Sequence, residues 1–385
     1  MARRFCSGRK YNFMNNLQQK EIAYLTEIIS NGQTGGGGRF TANCCQWLEN
    51  KLAAQKVLLT NSCTAALQMA VMLSNLQTGN EVIMPSFNFP AAANAVLNCG
   101  GVPVFADIRP DTLNIDATKI EAAITPKTRA IVVMHYGGVP CEMDSIMKVA
   151  QKHKLLVIED AAQSLLSAYK GRKSGTIGDF GCFSFHATKN VSMGEGGALV
   201  IKDKKYNERA EHILYKGTNR NEFAQGKVPA YTWVEKSGSF LPSELNAAYL
   251  WAQLETAEDL TRSRLQMWNR YYKALSEFKG QIICPSIPED CEHNAHIFWL
   301  LFSDKRKRDA YMAYMQGRNI VTTFHFQPLH SSPMGLSYGR FAGKDEYTTN
   351  ISQRIVRLPL SLDMSETEQE KVVAQTVKFM RNCNG

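Results

Sequence analysis

Between residues 57 and 201, short apolar runs rich in β-branched residues alternate with stretches patterned as helices. Residues 82–85, 102–107, 130–135, 155–160 and 198–201 read as buried strands. Residues 64–75, 91–98, 117–124 and 143–153 read as the helices between them. In the last of these, Met143, Ile146, Met147 and Ala150 recur at the spacing of one helix face. Strands that are apolar throughout have no face to offer water, so both sides must be covered. Alternation with helices meets that demand with a mostly parallel sheet that carries helices on both sides. The expected fold class is therefore α/β.

After about Asp203 the pattern turns helical, and residues 243–278 contain neither proline nor glycine. Pro285 and Pro288 mark a break. The last hundred or so residues mix short strands (297–302 and 320–325) with helices. A length of 385 residues suits one large domain and one smaller one. The expected division is a large domain over 1–265 and a smaller C-terminal α+β domain over 266–385. The glycine run at 35–38 reads either as a mobile lid or as a flexible connector.

The formal net charge of +9 draws anions through the summed field of the chain. A nucleic acid, a phosphorylated cofactor and a nucleotide sugar are all anions of the right kind. The basic run at 305–308 (KRKR) fits a solvated helix face, and no basic motif interleaved with aromatics supports nucleic-acid binding. The ten cysteines follow no framework spacing and include no CxxC pair, which argues against disulfides and structural zinc. No apolar run approaches the roughly 20 residues of a membrane span, and Arg3-Arg4 is followed by no apolar signal core. A soluble, reduced, cytoplasmic protein is expected.

Chemistry-bearing residues gather where the predicted strands end, which is where open α/β sheets bind ligands. In LLVIEDAAQ (155–163) a buried strand runs into Asp160; taken alone, Asp160 fits a helix N-cap or a metal ligand as well as a partner for a bound cation. In GCFSFHATKNVSMGEGG (181–197) a strand delivers Ser184, His186 and Lys189. Lysine is the amine that forms Schiff bases with carbonyls, although a lysine after a strand is often a plain surface residue. In LTNSCTAAL (59–67) a strand ends and Asn61, Ser62 and Thr64 open a helix; this suits either ordinary N-capping or a phosphate held on free N–H groups. In PSFNFPAA (85–92) a strand ends before two phenylalanines, fit for the core or for stacking on a flat ring. Together the pieces match the needs of a pyridoxal-phosphate site: an amine for the aldehyde, a carboxylate for the ring nitrogen, a phosphate cup and a stacking ring.

With these motifs in place, the chain resembles the DegT/DnrJ/EryC1/StrS sugar aminotransferases, pyridoxal-phosphate enzymes of fold type I. EVIMPSFNFPAAANAV, GGVPVFADIRPDTLNID, ITPKTRAIVVMHYGG, IEDAAQS and CFSFHATKN carry the resemblance, which extends from about Gly35 to Leu360. It implies that Lys189 is the Schiff-base lysine, that Asp160 pairs with the pyridine nitrogen, and that Gln163 lies near the ring hydroxyl. By the same resemblance Phe89 stacks on the ring, Cys63, Thr64 and Ser184 form the phosphate cup, and His186 sits near the substrate. His325 and His330 match a segment near the sugar nucleotide. Cys63 replaces a glycine common in the family. The stretch 237–241 (SGSFL) lacks the asparagine that often reaches the phosphate of the partner subunit, leaving Ser239 as a shorter donor. Some relatives that dehydrate sugars carry histidine in place of the lysine; Lys189 favours transamination.

GSFLPSELNAAYLWAQLE and FHFQPLH bring the chain nearest to members that aminate C4 of dTDP-4-keto-6-deoxyglucose with L-glutamate, yielding dTDP-4-amino-4,6-dideoxygalactose. The resemblance also implies a homodimer with shared active sites. Amination of a 3-keto or another 4-keto sugar nucleotide, and a non-catalytic cofactor-binding regulator of the same fold, are the competing expectations.

Overall fold

The structure is a computed structural model that describes residues 8–382. Its main sheet is built from β1 (Lys56–Thr60), β2 (Glu81–Pro85), β3 (Val102–Ala106), β4 (Thr128–Met134), β5 (Leu156–Asp160), β6 (Phe180–Ser184) and β7 (Gly197–Ile201). Helices precede and separate them: α1 (Gly8–Asn31), α2 (Arg39–Leu52), α3 (Cys63–Leu73), α4 (Pro90–Asn98), α5 (Ala117–Ala123) and α6 (Met143–His153). The strand order is β1-β7-β6-β5-β4-β2-β3. The central strands β3, β2, β4, β5 and β6 run parallel. Only β7 runs antiparallel to its neighbours β6 and β1, so the sheet is mostly parallel, as expected.

Side chains of a strand alternate between faces, and this sorts the apolar residues into opposite cores. Val82, Met84, Val132 and Ile158 point into the core under α3 and α4. Ile83, Ile131, Val133 and Val157 point into the core under α5 and α6. Farther along that second face, β1, β6 and β7 are covered by α1, α2 and a later helix, α8 (Glu244–Leu254), through Phe40, Leu48, Ala247 and Leu250. Each strand is thus buried on both sides, which is why its sequence is a continuous apolar run.

The proline-free stretch is two helices, not one: α8 ends at Leu254 and α9 (Ala257–Leu275) begins three residues on. The first half of α9 packs on the main sheet through Ala257 and Leu260. Its second half, through Trp268, Tyr271 and Leu275, joins a separate core. That core lies on a small antiparallel sheet of β8 (Ile282–Ile283), β9 (Phe298–Phe302) and β11 (Ile355–Leu358), covered by α10 (Lys305–Gln316) and α11 (Glu366–Asn382). We propose the domain division at 265/266 on the ground that α9 changes cores there. The chain also returns to the large domain: Cys291–Glu292 pairs with Ala168–Tyr169, and β10 (Arg340–Phe341) adds to the free edge of β3, held by the Arg340 guanidinium on the Glu81 carboxylate at 2.9 and 2.8 Å.

Residues 320–325 do not form the expected strand. Only Thr323 pairs, bonding through its backbone to Arg357, and the chain then turns so that His325 and Phe326 stack on each other. The basic run at 305–308 opens α10 on the surface, with Lys305 paired to Asp309 in water.

The glycine run at 35–38 is pinned rather than free. Gly38 opens α2, and the buried Glu244 carboxylate accepts the N–H groups of Gly38 (3.0 Å), Phe40 (2.8 Å) and Thr41 (3.0 Å), together with the Thr41 hydroxyl. A carboxylate from α8 therefore caps α2 across more than two hundred residues of sequence. A Cβ on Gly38 would lie 2.9 Å from that carboxylate, and one on Gly36 would meet the Pro242 carbonyl. Glu244→Ala strands these donors in a closed pocket, where each unsatisfied group costs about 1–3 kcal/mol. The expected loss of stability, measured by denaturant unfolding, is about 3 kcal/mol or more, with Glu244→Gln losing less; an Ala variant as stable as the parent would show that the cap is not needed.

Candidate active site

At the carboxyl ends of β1, β5 and β6 the molecule encloses a cavity of about 750 Å³. That volume suits a small-molecule ligand. Ser62, Cys63, Thr64, Phe89, Asp160, Gln163, Ser184, His186, Lys189 and His325 line it, so the structure gathers most of the residues picked from sequence in one place.

One end is a cradle for an anion. Ser62 caps α3, its hydroxyl accepting the Ala65 N–H and its carbonyl the Ala66 N–H. The N–H groups of Cys63 and Thr64 find no protein acceptor among the described residues. Both residues line the cavity, at the positive end of the helix dipole. Gly197 makes the approach possible, since a Cβ there would sit 2.5 Å from the Cys63 nitrogen.

Asp160 ends β5, buried, with the Ala162 N–H on Oδ1 at 3.1 Å. Burial raises its pKa above the usual aspartate value, an effect that the Ala162 N–H and the Lys189 charge partly offset. Its neighbour Glu159 points to the opposite side of the strand. There it accepts N–H groups from Gly175, Ile177 and Gly178 and lies 2.8 Å from His135 Nε2. His135 Nδ1 accepts the Cys141 N–H, so Nε2 carries the proton given to Glu159. Burial would raise the Glu159 pKa, but His135 and these amides outweigh it and hold it low. The His135 backbone N–H also donates to the Asp160 carbonyl at 3.2 Å, so this buried dyad braces the strand end that carries Asp160.

Lys189 sits in the connection from β6 to β7, which is a bonded extension rather than a slack loop. Phe185 donates to Gly196, Ala187 to Gly194, Met193 to Phe185, and Lys189 itself to His186 through the backbone. Asn190 then locks onto the segment that leads into β9, donating to the Asn294 carbonyl and accepting from His296 Nδ1. Burial lowers the Lys189 pKa below the ordinary lysine value, with the nearby Arg357 charge adding to that and Cys63 and Asp160 opposing it.

Gln163 accepts the Gly137 N–H on Oε1 at 2.7 Å, which leaves its NH₂ group as the end available to the cavity. Phe89 is 59% exposed at the head of α4. His186 takes the Thr188 N–H on Nδ1 and lies 3.4 Å from Glu195 through Nε2. His325 Nδ1 lies 3.0 Å from the Tyr136 hydroxyl.

Ser239 and His330 are not among the cavity's lining residues. The Ser239 carbonyl accepts from the Asn61 amide. His330 is clamped by both ring nitrogens, 2.7 Å from Ser86 and 3.3 Å from Asp345. Arg264, His296, Thr323 and Arg357 line the cavity although no local motif marked them. They come from α9, from β11 and from segments beside the small sheet, outside the stretch where strand ends point to a site.

The donors fit pyridoxal phosphate: free helix N–H groups for a dianion, an amine depressed towards its neutral form, and a buried carboxylate in the same cavity. Such a fold and site define a pyridoxal-phosphate-dependent aminotransferase of the fold-type-I class. Residues 15–377 match the DegT/DnrJ/EryC1/StrS aminotransferase family, and the chain belongs to that family of sugar aminotransferases. It is 34% identical to the spore coat polysaccharide biosynthesis protein SpsC of Bacillus subtilis, over 92% of this chain and 93% of that one. It is 29% identical to the dTDP-4-dehydro-2,3,6-trideoxy-D-glucose 4-aminotransferase of Saccharopolyspora spinosa, over 96% and 97%. The crystal structure of the aminotransferase TlmJ from Streptoalloteichus hindustanus superposes with a TM-score of 0.87 at 28% identity, over 95% of this chain and 97% of that one.

Because burial disfavours the ammonium form, Lys189 in the cofactor-free protein gives up its proton below the ordinary value of 10.5. Acylation at a series of pH values, followed peptide by peptide by mass spectrometry, is expected to show its midpoint below that of an ordinary solvent-exposed lysine. A midpoint at the ordinary lysine value would contradict the burial argument.

Proposed function

We propose that this enzyme moves the amino group of L-glutamate to C4 of a nucleotide-linked 4-keto-6-deoxy sugar, turning dTDP-4-keto-6-deoxyglucose into dTDP-4-amino-4,6-dideoxygalactose. The observation that carries the reading is the burial of Lys189 and Asp160 in one cavity, each within the other's field. The resemblance of GSFLPSELNAAYLWAQLE and FHFQPLH supports the choice of sugar. A relative named for 4-amination of a dTDP-linked keto sugar supports the choice of carbon.

When bound, pyridoxal phosphate supplies an aldehyde that captures amines and a ring that withdraws electrons. Lys189 would hold the cofactor's aldehyde at rest, and its amine is placed to take the proton from the donor's α-carbon; burial, by lowering its pKa, favours the basic form for that work. Asp160 would keep a proton on the ring nitrogen; Cys63, Thr64 and Ser184 would hold the phosphate, Gln163 would donate to the ring hydroxyl, and Phe89 would pack against the ring. His186 and His325 meet the sugar nucleotide, and His330 steadies the segment between them and Asp345. Ser239, outside the cavity of its own chain, serves the phosphate of the partner subunit in a homodimer. A cytoplasmic setting is supported by the unpaired state of every described cysteine. Among the described residues no helix is long and apolar enough to cross a membrane.

Lys189→Ala is expected to abolish turnover while the circular dichroism spectrum is kept. Asp160→Ala should slow the half-reaction with glutamate by at least about 100-fold, in the range of a lost acid–base group. Separate 3-keto and 4-keto sugar nucleotides, with the product identified by nuclear magnetic resonance, test the substrate. An amino group at C3, or a gluco configuration at C4, would replace this reading with another transaminase. Visible absorbance that ignores glutamate would replace it with a non-catalytic binder.

A further inference from the structure

We propose that Glu208, His212 and Glu222 bind one divalent transition ion of the zinc class, and that this ion ties the segment over residues 219–236 to the helix before it. None of the three lines the active-site cavity, so the inference stands apart from the transaminase reading.

The ligands come from two elements. Glu208 and His212 lie four residues apart on α7 (Asn207–Leu214), a spacing that sets them side by side on one face of a helix. The helix itself is fixed, because Ala210, Ile213 and Leu214 pack in the core under α3. Glu222 comes from the single helical turn Arg220–Ala224, which follows a turn at Gly217. Its carboxylate lies 3.0 Å from His212 Nε2. His212 and the two carboxylates offer three ligand atoms that all lie within 4.8 Å of one another. Donors on a tetrahedral zinc ion stand about 3.3 Å apart, so rotation of the exposed Glu208 side chain closes the set.

The donor set selects the ion. One imidazole and two carboxylates suit zinc, with water as the fourth ligand. The set has no thiolate to favour copper(I), and calcium and magnesium prefer oxygen throughout. Two carboxylates also balance a divalent charge. The charged groups beside them are engaged elsewhere: Arg209 is held by Glu235 at 2.7 Å and by Asn75, and Glu211 by Lys56 at 3.2 Å and by Asn221. Glu208 has no hydrogen-bond or ion-pair partner among the described residues.

The segment has use for such a tie. From Arg220 to Ser239 no residue is buried, and Trp233 is 77% exposed. A stretch without a core of its own leans on polar contacts, such as the Thr232 N–H on Asn219 Oδ1 at 2.7 Å and the Asn221 amide on Glu211 at 3.0 Å. A metal cross-link supplies the stability that burial does not. A protonated His212 makes the same contact with Glu222 but leaves Glu208 out. The part played by Glu208 therefore separates a metal site from an ion pair.

The test titrates the untagged, metal-stripped holoenzyme with zinc by calorimetry and with cobalt(II) by visible absorbance. One ion per chain is expected. Glu208→Gln breaks no contact within the fold and should weaken binding at least about 10-fold, since even outer-shell partners of a metal are worth about 10- to 100-fold. His212→Ala should abolish it. With free zinc at about 100 times its dissociation constant, hydrogen exchange over residues 219–236 should slow by up to about 100-fold, and His212→Ala should show no such response. Zinc affinity unchanged in Glu208→Gln, uptake by the parent no greater than by His212→Ala, or binding that leaves exchange over 219–236 unaltered would overturn the proposal.

Discussion

Burying an amine and a carboxylate together is the constraint around which this molecule is organised. Each group alone resists the loss of water, and each relieves part of the other's cost. Burial lowers the proton affinity of Lys189 and raises that of Asp160, and their mutual attraction works against both shifts. Such a pair persists only if its backbone supports leave it little room to move. The parallel register of β5 and β6, with Asp160 opposite Cys182, provides the first support. The dyad of Glu159 and His135 on the far side of the same strand provides the second. Hydrogen bonds along the β6–β7 connection, ending in Asn190 on the segment that leads into β9, provide the third.

The cavity around this pair is asymmetric in charge. The main sheet contributes helix N–H groups and hydroxyls at the start of α3, while α9 and the small sheet contribute Arg264 and Arg357. Anions can therefore be held on opposite walls of one space. A reaction that must seat a cofactor phosphate and an anionic amine donor at the same time has use for that separation. The net positive charge of the chain fits the same picture of several anionic ligands meeting in one cleft.

Much of this was legible from sequence. The apolar runs named the strands, and their period of two explains why Ile83 and Met84 serve different cores. The rule that ligands meet α/β sheets at strand ends picked out Thr64, Asp160, Ser184 and Lys189, and all of them line one cavity. Other features were not legible. A strand over 320–325 was expected from its apolar character, yet only Thr323 pairs, because the following residues turn to stack His325 on Phe326. The glycines at 35–38 looked free until Glu244 arrived from α8 to cap the helix they precede.

The division has a physical basis. Sequence alone determined whatever depends on neighbours in the chain: the period of burial, the elements, the placing of Asp160 at a strand end and of Lys189 just beyond one, and the family. Tertiary structure decided whatever depends on distant groups meeting: the capping of α2, the position of Arg264 and Arg357 in the cavity wall, and the exclusion of Ser239 and His330 from its lining. A charged side chain reads the same in sequence whether it is solvated, paired or left open for a ligand. Only the fold reveals which partners are within reach.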